Sequence, residues 1–106
     1  MKKVLSLFLL GIILIAGCAQ KEEAEVADKE TAIAACIEEC QKWSKSRLTD
    51  GPCLSNIIAE GWVCDVAHDP IQPVDNLVEN QCFHYVQGLV KHFVELDTNC
   101  KLIKAY

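Results

Sequence analysis

Six cysteines, Cys36, Cys40, Cys53, Cys64, Cys82 and Cys100, and three histidines, His68, His84 and His92, are the side chains of residues 30–106 whose types suit covalent or metal chemistry. An even set of thiols in so short a stretch predicts three disulfides wherever the compartment is oxidising. Cys36 and Cys40 stand one helical turn apart, where side chains run side by side and do not converge to bonding geometry. That pair is excluded, which leaves twelve of the fifteen pairings that six thiols allow. Structural zinc sites draw on close CxxC-type pairs of reduced thiolates. Here Cys36 and Cys40 form the only close pair and no second pair matches it, so an all-thiolate zinc site is not expected. The histidines are the other candidates for a metal site. His84 and His92 are eight residues apart and fall on different predicted elements, and His68 is flanked by Asp65 and Asp69, carboxylates able to orient an imidazole or raise its pKa. A simpler role for Asp69 is to open a turn before Pro70. The chain has no CxxC, CxxCH, HExxH, GxSxG, P-loop or GxGxxG motif, so no catalytic residue and no cofactor is expected.

A seventh cysteine, Cys18, is set apart from these. Lys2 and Lys3 precede an apolar run over residues 4–17, and Ile15, Ala16, Gly17 and Cys18 close it. That run spans 14 residues, short of the ~20 needed to cross a bilayer, and small residues before a cysteine fit a cleavage site. The four residues resemble the lipobox of prokaryotic lipoproteins. The resemblance implies cleavage before Cys18, lipidation of its thiol and an extracytoplasmic protein anchored in the membrane of the cell envelope. Ala19 follows the cysteine; by the same resemblance, the absence of Asp there permits export to an outer membrane where one exists.

Loss of residues 1–17 removes Lys2 and Lys3 from the 10 basic residues, leaving 8 against 15 acidic ones, a formal charge of −7. A chain so acidic, with its lysines scattered, is not expected to bind nucleic acid. The expected organisation is a signal peptide over 1–17, a lipidated cysteine and acidic tether over 18–30, and one cysteine-rich domain over 31–106. A core of that size usually needs staples.

The elements that must position these residues are legible in part. Ile33, Cys36, Ile37, Cys40, Trp43 and Leu48 recur at spacings of three and four, which predicts an amphipathic helix from about Thr31 with both cysteines on its buried stripe. Glu38 and Lys42 pair on its wet face, and Asp50, Gly51 and Pro52 end it. A short helical piece over 53–60, capped by Ser55, is predicted next, then a strand over 62–67 with Trp62 in the core. Asn76 and Glu79 resemble a capping box opening a helix over 77–87 that stops at Gly88. Residues 89–96 and 102–106 alternate around Asp97, Thr98 and Asn99, which predicts a hairpin with Cys100 near its turn. The fold class is therefore α+β, a small disulfide-stapled domain with an amphipathic N-terminal helix, a second helix and a C-terminal β-hairpin.

Between strand and second helix lies an extended segment over 68–75. Its residues His68, Asp69, Pro70, Ile71, Gln72 and Pro73 are the expected binding loop, because loops on a rigid scaffold carry function. The resulting expectation is a non-catalytic interaction or structural module of the cell envelope, held to the membrane by the lipid on Cys18 and meeting an envelope protein or surface ligand. A metal-binding or redox lipoprotein using His68, His84 and His92 is the alternative.

Overall fold

The computed structural model describes residues 25–106. The signal peptide expected over 1–17, the lipidation expected at Cys18 and the first part of the expected tether, up to residue 24, lie outside the described residues. The first element, α1 (Lys29–Gln41), starts where the Asp28 side chain accepts a hydrogen bond from the Thr31 N–H at 2.8 Å. This cap satisfies one of the free amides of the first turn. It also holds the Asp28 carboxyl below its ordinary pKa, through the bonds to Thr31. The buried stripe of α1 is Ala32, Cys36 and Cys40, as the three-and-four spacing predicts.

The helix does not run on to Leu48. It breaks after Gln41, and a separate turn, α2 (Lys45–Leu48), follows an extended Ser44 whose carbonyl accepts from the Arg47 and Leu48 amides. Trp43, at the break, folds back on α1: its indole N–H donates to Glu39 Oε2 at 3.0 Å, and the Arg47 guanidinium lies 4.0 Å over its ring. Trp43 is thus half-buried at the rim of the core. Lys42 pairs with Glu39 at 3.8 Å instead of Glu38, an exposed contact worth a few tenths of a kcal/mol.

Residues 53–60 form a strand, not a helix. Strand β1 (Cys53–Ala59) makes an antiparallel hairpin with β2 (Trp62–Val66), closed by Glu60 and Gly61 between the paired Ala59 and Trp62. Gly61, the second residue of that loop, adopts φ +83°, a left-handed conformation open to glycine at little cost. The pairing is irregular around Ser55, whose hydroxyl accepts from the Ile57 N–H at 3.1 Å, so the predicted cap serves a bulge. Strand β3 (His92–Leu96) then pairs parallel to β2, and β4 (Leu102–Ala105) pairs antiparallel to β3, giving the sheet order β1-β2-β3-β4. The predicted C-terminal hairpin is present, and the architecture is α+β.

One face of this sheet meets α1. Trp62, Cys64, Val66, Val94 and Leu96 pack with Leu48, Leu54 and the buried stripe of α1, and each large apolar side chain so buried contributes about 1.5–3 kcal/mol. Trp62 lies in this core with its indole N–H donating to the Ala27 carbonyl at 2.7 Å. Three disulfides tie the layers: Cys36–Cys64 joins α1 to β2, Cys40–Cys100 joins α1 to the turn before β4, and Cys53–Cys82 joins β1 to the chain between β2 and β3. Both cysteines of α1 therefore reach other parts of the chain.

A parallel pair of strands needs a crossover, and here residues 67–91 supply it. The long helix expected over 77–87 is absent. Two 3₁₀ turns, Pro73–Asn76 and Val78–Asn80, and one α-helical turn, α3 (Phe83–Val86), take its place. Leu77 and Gln81 are extended, and side chains do the work of a helical ladder: the Asn80 amide donates to the Val74 carbonyl at 2.8 Å and the Gln81 amide to the Asp75 carbonyl at 2.9 Å. The staple from Cys82 to Cys53 pins the chain to the sheet just where a continuous helix would carry it away. Gly88, at φ +76°, does stop the last turn; the Leu89 N–H bonds back to the His84 carbonyl at 2.9 Å. No helix among the described residues is long and apolar enough to cross a membrane.

Candidate functional site

The expected binding loop is exposed at Asp69, Pro70, Ile71, Gln72 and Pro73, and Asp69 and Pro70 are joined by a cis peptide bond. Its base is locked by one buried carboxylate, that of Asp75. Asp75 Oδ2 accepts from the backbone N–H of His68 at 3.0 Å and of Gln72 at 2.8 Å, while Oδ1 lies 2.9 Å from His68 Nδ1. Burial opposes ionisation of this carboxyl. The bonds from Gln72 and His68 outweigh it, and the Asp75 pKa falls below its ordinary value. The imidazole of His68 is thus oriented by Asp75, seven residues on, and not by the flanking Asp65 or Asp69. Gly51 closes the base from the other side: it has φ +66°, and a Cβ there would overlap Asp75 Oδ1 and meet the Val66 carbonyl at 3.4 Å.

The three histidines are not brought together. His68 follows the end of β2 on Asp75, whereas His92 stacks on Trp62 at its start, ring centroids 4.8 Å apart. His84 sits on α3, its backbone N–H bonded to the Asn56 side chain at 3.0 Å and its ring tilted against Phe83. Among the described residues no group of three or more His, Cys, Asp and Glu side chains is placed to hold a metal ion. All six cysteines after Cys18 are in disulfides.

A second site lies on the sheet face opposite α1. One row of residues crosses all four strands there: Cys53 pairs with Asp65, Asp65 with Glu95, and Glu95 with Lys104. In the neighbouring row Val63 pairs with Phe93, against whose ring Tyr85 of α3 stands edge-on at 5.2 Å. The crossover roofs this face with Gln81, Cys82 and Tyr85, enclosing a cleft of about 300 Å³. Asp65 carries its electrostatics. Its Oδ1 is buried with no hydrogen-bond partner, and burial, then the neighbouring charge of Glu95, push its pKa up to about 8, with the backbone at Val66 offsetting only part. Lys104 extends over the Phe93 ring, its ammonium 5.6 Å from the centroid.

Sequence reasoning placed the loop but missed this cleft. A signal was available: alternation over 62–66 sets Asp65 with Val63, away from Cys64, and alternation over 92–96 sets Glu95 with Phe93. The parallel pairing that joins the two carboxylates has no local signature. No protein-family model, no curated protein and no solved structure matches the chain.

Proposed function

We propose that the chain is an extracytoplasmic module of the cell envelope, anchored by lipid on Cys18, that binds an envelope protein or surface ligand through the loop 69–73 and transforms no substrate. The observation that carries this reading is the build of the loop: five exposed residues on a base fixed by three hydrogen bonds to the buried Asp75. A loop ordered before it meets a partner loses little conformational entropy on binding. The lipobox-like Ile15, Ala16, Gly17 and Cys18 support the anchor, and three disulfides suit an oxidising compartment.

The test has two parts. Intact mass of the protein expressed with its own signal should show a chain beginning at acylated Cys18, with six thiols that alkylate only after reduction. A photo-crosslinker in place of Ile71 should then capture an envelope component that a chain carrying the same crosslinker, with Asp69, Pro70, Gln72 and Pro73 replaced by glycine and serine, does not. An unprocessed chain, or the same captured set from both forms, would overturn the anchor or the loop respectively. Zinc or copper on the native mass would transfer the reading to a metal-binding lipoprotein.

A further inference from the structure

The cleft between the sheet and its crossover is a site of different chemistry from the loop, and it needs neither the loop nor the anchor to act. Its volume of about 300 Å³ lies at the lower end of the range for small-molecule pockets. Two carboxylates, Asp65 and Glu95, stand side by side on neighbouring strands at its floor, and two aromatic rings, Tyr85 and Phe93, form its wall. Asp65 has one oxygen buried without a donor, so its carboxyl is under-satisfied and positive charge brought beside it from the cleft stabilises its ionised form. The chain already places one cation there. Lys104 comes from β4, is paired in register with Glu95 and lies over the Phe93 ring, yet it makes no ion pair with either carboxylate within 4.0 Å among the described residues.

We propose that this cleft binds a small organic cation bearing a primary ammonium group, which sits between Asp65 and Glu95 with its hydrocarbon against Tyr85 and Phe93. An anion is disfavoured by the paired carboxylates. A divalent metal finds no third carboxylate, imidazole or thiolate among the described residues. An ammonium with a short alkyl chain satisfies both halves of the lining: charge-assisted bonds to the carboxylates and cation–π or apolar contact with the rings. Lys104, whose ammonium lies over the Phe93 ring, then competes with the ligand for that ring and repels its charge.

Binding is coupled to a proton. In the free protein Asp65 faces Glu95 from β3, Lys104 from β4, Tyr85 from α3 and, more distantly, Asp75, and burial and the Glu95 charge keep it largely protonated at neutral pH. An arriving cation favours the ionised carboxyl, so up to about one proton leaves Asp65 per ligand bound near pH 7.

Calorimetry on the full chain in neutral-detergent micelles tests this, with butylammonium as probe and butanol and butyrate as controls. Butylammonium should bind saturably at about millimolar concentration, and the apparent enthalpy should change between buffers of different ionisation heat by the amount one released proton requires. Asp65→Asn should weaken binding at least about tenfold and abolish the buffer dependence. Lys104→Gln, at an exposed position, should tighten binding about three- to tenfold by removing the competitor. Equal binding of butanol, absence of saturation with folded protein, or unchanged affinity in Lys104→Gln would overturn the proposal. Ethylammonium against phosphoethanolamine separates a free cation from a lipid headgroup: the phosphate meets the acidic pair, so phosphoethanolamine should bind more weakly, and tighter binding would overturn the free-cation assignment.

Discussion

Two aspartates show how one residue type takes opposite roles from its neighbours. Asp75 is buried with three donors and its pKa is lowered; Asp65 is half-buried beside Glu95 with one orphaned, buried oxygen and its pKa rises to about 8. Their contributions to stability therefore run in opposite directions with pH. The unfolded value for either is about 3.9. For Asp65 the folded chain holds the proton more tightly, so its effect on stability is neutral below pH ~4 and increasingly unfavourable as pH rises towards 8. Asp65→Asn should flatten that decline and be more stable than the parent by a few kcal/mol above pH ~8, read from urea unfolding with the disulfides intact. Asp75 stabilises above pH ~4 and loses this as pH falls through its lowered folded value. Asp75→Asn should cost about 1–3 kcal/mol at neutral pH, because the amide cannot accept all the bonds that the carboxylate does. Gly51→Ala should cost a similar amount, about 1–3 kcal/mol, and should loosen the loop 69–73 through Asp75. Neither aspartate's role was legible in the sequence, since His68 has nearer carboxylates in Asp65 and Asp69 and the loop had to be closed before Asp75 could reach it.

At the scale of elements, legibility followed periodicity. The Cys36 and Cys40 stripe of α1, the strand at Trp62 and the hairpin around Asp97 are all present where alternation or three-and-four spacing put them. In that hairpin Asp97 Oδ1 accepts from the Asn99 and Lys101 amides at 2.8 and 2.9 Å, the local chemistry that makes such turns readable. Residues 53–59 and 77–87 were misread for one reason. Their conformations are set by partners distant in sequence: β1 by its pairing with β2, and the crossover by the bond from Cys82 to Cys53. That bond closes a loop of 29 residues and is expected to contribute about 3–4 kcal/mol. Cys53→Ala with Cys82→Ala should lose that amount. Hydrogen exchange should then accelerate across 73–90 first, while α1, held by Cys36–Cys64 and Cys40–Cys100, keeps its protection.

For the whole molecule, a sheet covered by α1 on one face and by a stapled, largely irregular crossover on the other leaves much of the crossover's apolar surface in solvent: Val78, Phe83, Val86 and Leu89 are all exposed. Apolar burial is thus concentrated on the α1 side, and the disulfides supply what the crossover side lacks. Their pattern has a consequence for biogenesis. In chain order the six cysteines pair first with fourth, second with sixth and third with fifth, so no bond joins two cysteines that are neighbours in sequence. A chain oxidised strictly in order, each thiol with its neighbour in sequence, would form no native bond. Oxidant alone is expected to yield scrambled isomers after reduction and denaturation, and a mixture of reduced and oxidised glutathione to restore the single native species, resolved by chromatography and peptide mapping. If the refolding behaves so, maturation needs thiol shuffling as well as oxidation, and co-expression of a disulfide isomerase should raise the yield of the native species more than co-expression of an oxidase does.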